Sequence, residues 1–140
     1  MSNSFDNQVE LKVPVNPDYV SVVRLLVSGL GTRLGLPLDE IEDLKLAIGE
    51  AFMSLVEKCD EKVNGLLQLK WKQDGAQISV SMSDPSGKHR SIASLALVKE
   101  LGGQYTTALV DGVPHLDIAF DIKYKDGRPQ IFNERDGGRA

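Results

Sequence analysis

The chain has 140 residues, 41% of them hydrophobic and 26% charged, which fits one soluble domain able to close a core without staples. A net charge of −4 gives a polyanion nothing to bind, so nucleic acid is excluded as a natural partner. A lone cysteine, Cys59, excludes an internal disulfide and suits a reducing compartment. MSNSFDNQVELKV has no basic or apolar leader segment, and no apolar run approaches the ~18 residues of a membrane helix, so a cytoplasmic protein is expected.

Val9 to Val15 alternates well enough for a short strand, with Pro14 marking an edge or an end. Asn16-Pro17-Asp18 then reads as a helix start, with a capping side chain, a proline and an acid in sequence. Val20, Val23, Val27, Leu30 and Leu34 follow at helical spacing, and Gly35 is a stop. Gly29 and Gly31 each cost about 1 kcal/mol relative to alanine inside a helix, so close packing against the backbone is expected there.

A second helix opens on Asp39, Glu40, Glu42 and Asp43, acids that suit the positive end of the helix dipole. Its core stripe is Ile41, Leu44, Ile48, Ala51, Phe52, Leu55, Val56 and Cys59. Glu50 sits beside Leu46, Ala47 and Met53, with Ser54 one turn further on, an odd place for a carboxylate. It could be a rim carboxylate paired with Lys45 or Lys58, or a group lining a cleft.

LLQLKWK and AQISVSMS alternate around Asp74-Gly75, predicting a hairpin, and Trp71 is expected in the sheet. A short helix is expected over 91–101, stopped by Gly102-Gly103, and two strands, 104–110 and 113–124, flank Asp111-Gly112. Residues 125–140, KDGRPQIFNERDGGRA, are polar and rich in glycine, and are expected to form a disordered tail behind a single domain over 1–124. The order β-α-α-β-β-α-β-β predicts an α+β two-layer sandwich, a mostly antiparallel mixed sheet with three helices on one face. His89 and His115 have no ligand partners at metal spacing, and no metal site is expected.

The stretch VPVNPDYVSVVRLLVSGLGTRLGLPLDEIEDLKLAIGEAFMSLVEKC resembles the N-terminal half of RsbW and SpoIIAB anti-sigma factors. These are the small serine-kinase branch of the Bergerat, or GHKL, ATPase fold. The resemblance covers residues 8–124, and DEIEDLKLAIGEA carries most of it. It implies that Glu50 stands at the general base and Ser54 at an asparagine that holds magnesium. A serine hydroxyl is shorter than an asparagine carbonyl and is a poorer fit to that role. The Asp-x-Gly box is matched by Asp84 but has Ser86 at the glycine, with Gly87 one residue later. Only PSGKHR separates Asp84 from the third helix, where the family has a long glycine-rich lid.

The resemblance therefore implies a regulator that binds a sigma factor or an anti-anti-sigma protein, or both, and lacks working ATP and Mg²⁺ sites, with Glu50 vestigial. Arg24 stands where the family contacts its partners, though a solvated helix arginine fits the residue equally well. A homodimer through the first strand, at Val9, Leu11 and Val13, is the family's habit. Two alternatives stand. One is an active serine-protein kinase using ATP and Mg²⁺. The other is a binder of a small anion at Lys88, Arg90 and the start of the third helix at Ser91.

Overall fold

A computed structural model describes residues 8–56, 65–83 and 95–131. The first strand, β1, runs Gln8–Pro14. Asn16 then caps a short 3-10 turn over Pro17–Tyr19, its side chain accepting the Asp18 N–H at 2.8 Å. Helix α1 follows over Val20–Leu34 and ends at Gly35, whose φ of +80° suits only glycine without strain. Helix α2 spans Leu38–Val56.

Strands β2 (Leu66–Asp74) and β3 (Gln77–Ser83) form the expected hairpin. Its turn is Gly75-Ala76, one residue beyond Asp74-Gly75, because Asp74 pairs with Gln77. Gly75 takes the positive φ, +60°, that the turn needs. Helix α3 is short, Ala96–Glu100, and residues 91–94 of the expected helix lie outside the described part. The Gly103 N–H closes it by donating to the Val98 carbonyl at 2.8 Å, with Gly102 left-handed. Strands β4 (Gln104–Val110) and β5 (Val113–Asp121) join through Asp111-Gly112, both at positive φ.

The five strands lie in the order β1-β2-β3-β5-β4, and all four pairings are antiparallel. Alternation puts Leu67, Leu69 and Trp71 of β2, Ile78, Val80 and Met82 of β3, and Leu116, Ile118 and Phe120 of β5 on one buried face. The helices cover it with Val23, Val27, Leu44, Ile48, Phe52, Leu55 and Val98. The other face stays polar; there the Ser81 hydroxyl donates to the Asp117 carboxylate. The result is the two-layer sandwich the element order predicts.

The expected tail needs correcting. Strands β6 (Lys123–Lys125) and β7 (Arg128–Gln130) pair around Asp126-Gly127, and Ile131 is buried. Order thus continues through residue 131, and only 132–140 lie outside the described residues. No helix among the described residues is long and apolar enough to cross a membrane.

Candidate functional site

The site is built on α2, whose two flanks have opposite characters. Residues four apart share a flank of a helix, so Glu50 and Ser54 lie together, and Gly49 is turned about 100° away. Gly49 faces α1. A methyl there would stand 3.1 Å from Arg24 Nε and 3.6 Å from Val20, so the glycine lets the Arg24 side chain lie across α2 without giving way. Lower down, Gly31 of α1 meets Ile41, which would be 2.9 Å from an added Cβ. Close packing is therefore found at Gly31. It is absent at Gly29, which has nothing within 4 Å of an added methyl.

The opposite flank meets α3. Leu97 N–H, in the first turn of α3, donates to Glu50 Oε1 at 3.1 Å. The half-buried carboxylate thus supplies an acceptor that the start of a helix otherwise lacks. One turn on, the Ser54 hydroxyl donates to the Ala51 carbonyl of its own helix at 2.7 Å. Lys45 lies 3.4 Å from Glu42, so the pairing of Lys45 with Glu50 that the sequence left open is not formed. Next to α3, the Leu95 N–H donates to the Tyr105 hydroxyl at 3.1 Å, and Lys99 Nζ stands 5.5 Å from the centre of the Tyr105 ring.

Of the residues singled out from sequence, Glu50 and Ser54 are brought to one flank, and Arg24 lies on the other side of the same helix. Arg24 is half-buried, and among the described residues its Nε is buried without a hydrogen-bond partner. Asp84, Gly87, Lys88, Arg90 and Ser91 lie outside the described residues, as do Cys59 and His89. A cleft of about 280 Å³ lies well away from Glu50, between Leu30, Arg33 and Leu34 of α1 and Val9, Trp71 and Gln73 of the sheet.

Two contributors were missed from sequence. Glu40 is 4% exposed and accepts the Ile131 N–H at 3.3 Å, tying the start of α2 to the chain after β7. An acid in a first helical turn signals a dipole effect, and nothing in the sequence links it to a residue so distant. Tyr105 is the other: a strand tyrosine gives no hint that its hydroxyl receives the amide of Leu95, the residue just before α3.

Five antiparallel strands under three helices, with a carboxylate midway along the second, make a GHKL-like fold. The chain is similar to curated RsbW serine-protein kinases. RsbW of Bacillus subtilis is 38% identical over 85 residues, 60% of this chain and 52% of that protein. RsbW of Bacillus pumilus is 31% identical over 103 residues, 71% of this chain and 61% of that protein. The chain thus spans roughly half to three-fifths of the length of these relatives. Part of a Mycobacterium tuberculosis structure that comprises RsbU and RsbW domains shares its fold, with a TM-score of 0.59 at 16% identity over 80% of this chain and 31% of that one. No family model matches the chain.

Proposed function

We propose that the chain is an RsbW-type anti-sigma regulator that works by holding protein partners, with ATP binding and kinase activity lost or impaired. One observation carries the second half. Ser54, at the position of the family's magnesium-holding asparagine, has its hydroxyl engaged by the Ala51 carbonyl. Beside it, the Glu50 carboxylate is engaged by a main-chain amide. A magnesium triphosphate needs hard oxygen donors and positioned charge for nearly all of its reactivity. The shorter hydroxyl arm of Ser54, turned to its own helix, supports a weaker hold on the metal than an asparagine carbonyl would give.

The first half rests on similarity to RsbW and on Arg24, seated across α2 by the absence of a side chain at Gly49. In this reading the partner is a sigma factor, an anti-anti-sigma protein or both, and the protein regulates transcription from the cytoplasm. A pull-down from the native cell is expected to recover one of these, with Arg24→Ala recovering less. Recovery of neither would remove the reading. A thermal melt with ATP and Mg²⁺ is expected to show no upshift. Binding at 100 Kd would add about 2.7 kcal/mol of stability and be plainly visible.

A working serine-protein kinase is the second reading. It is favoured by Glu50 in place on α2 and by the kinase name of the Bacillus relatives. Transfer of phosphate from ATP to a serine of an anti-anti-sigma protein would establish it.

A further inference from the structure

On the inward face of the sheet, one position breaks the apolar pattern. Strand β2 turns Leu67, Leu69 and Trp71 toward the helices, and the next inward residue is Gln73. Val9 of β1 pairs with Trp71 and faces the same way, packed against the core. Helix α1 comes over this corner with Leu30 and Leu34, one turn apart and only half-buried, and with Arg33 beside them. The cleft of about 280 Å³ lies between helix and sheet, with Tyr124 of β6, 66% exposed, at its rim.

The lining has the composition of a small-molecule site, mostly apolar with a few polar groups. Those polar groups are uncommitted. Among the described residues, neither the Arg33 guanidinium nor the Gln73 amide has a hydrogen-bond or ion-pair partner. Arg33 is also the only charged residue among the described residues of the lining. A cation in the last turn suits the helix dipole, but that dipole amounts to about half a charge, so Arg33 stays net positive.

We propose that this cleft binds a small aromatic carboxylate, with its ring on Trp71 and the leucines and its carboxylate on Arg33. The volume falls just under the roughly 300–1,000 Å³ of drug-sized sites, which suits one ring and not a nucleotide. The rings of Trp71 and Tyr124 favour an aromatic body over a plain alkyl chain. A guanidinium fork matches a carboxylate in shape and in charge. A phosphate monoester carries nearly two charges and would leave one uncompensated against an apolar lining. The cleft is remote from the Glu50 flank of α2, and the proposal does not rest on which protein partners the chain holds.

Trp71 is the only tryptophan in the chain, so its fluorescence reads the floor of the cleft directly. Titrating the full chain with phenylacetate is expected to give a saturable change with a Kd at or below about 1 mM. Phenylacetamide has the same shape without the charge, and is expected to bind about tenfold more weakly. Arg33→Gln, at an exposed position, is expected to weaken phenylacetate by about the same factor, with circular dichroism unchanged, and to leave phenylacetamide where it was. Amide NMR shifts with phenylacetate are expected at Val9, Arg33 and Trp71. No saturable change below about 10 mM, equal affinity for phenylacetamide, tighter binding of phenyl phosphate, indifference to Arg33→Gln, or shifts confined to other residues would each overturn the proposal. So would binding that weakens as protein concentration rises, which would put a second copy over the cleft. Binding seen only after deletion of residues 1–7 or 132–140 would make one of those segments the occupant and overturn it too.

Discussion

The two flanks of α2 are held by different means. Against α1, contact is steric: glycines at 31 and 49 remove side chains so that Ile41 and Arg24 can come close. Against α3, contact is polar: a carboxylate and a hydroxyl meet main-chain groups. Both fasten a helix to its neighbour, but they fail differently. A steric seam is broken by adding atoms, and a polar one by removing an acceptor. The polar flank is also where the resemblance implies chemistry. A kinase would need the Glu50 carboxylate for a reacting proton, and here that carboxylate accepts the Leu97 N–H.

The largest expected effect lies beyond α3, where the polar flank gives way to packing. A Cβ at Gly103 would stand 2.5 Å from Phe120 Cε1 and 3.0 Å from Val98 Cγ1. Phe120 and Val98 are both buried, so neither can move aside cheaply. Gly103→Ala is expected to destabilise by about 1–3 kcal/mol, read from a denaturant titration. A loss within a few tenths would mean that the α3–β4 corner is slack and that the contrast between the flanks is overdrawn.

The next effect sharpens the contrast directly. Glu50→Ala removes the acceptor of Leu97 N–H and is expected to cost about 1 kcal/mol. Glu50→Gln keeps a carbonyl oxygen and is expected to lose less than half of that. Hydrogen exchange of the Leu97 amide should quicken in Ala and change little in Gln. Equal exchange in both variants would show that the tie contributes nothing. If the kinase reading were right, Gln would instead abolish phosphate transfer while leaving stability nearly intact, so the pair separates a structural glutamate from a catalytic one.

How much of this was legible in the sequence follows the range of the forces involved. Local devices read well: the Asn16 cap, the Gly35 stop, and the stripe of Ile41, Leu44, Ile48 and Phe52 all depend on neighbours within a turn or two. Asp111-Gly112 read well for the same reason. Asp126-Gly127 carries the same signal and was passed over, because three-residue strands with Pro129 in one of them show no alternation. The ties that build the site were out of reach. Glu50 to Leu97, Glu40 to Ile131 and Tyr105 to Leu95 each join a side chain to a backbone amide that only the fold brings near. A main-chain partner leaves no mark in a sequence, since every residue but proline has the same amide.

The smallest effect tests the steric flank, and it tests a sign. Gly29 and Gly31 stand two residues apart inside α1, and both look like liabilities in a helix. At Gly29 an added methyl meets nothing within 4 Å, so alanine there should only reduce the freedom of the unfolded chain. Gly29→Ala is expected to stabilise by about 0.5–1 kcal/mol. At Gly31 the same gain is opposed by Ile41, whose Cγ1 would lie 2.9 Å away and whose side chain is 5% exposed, with little room to retreat. Gly31→Ala is therefore expected to give a net loss, smaller than that at Gly103 because helix propensity offsets part of the clash. Thermal melts of the two variants should move in opposite directions. If both rise, Ile41 yields to the methyl, and the α1 flank of α2 is no more tightly fitted than the rest of the core.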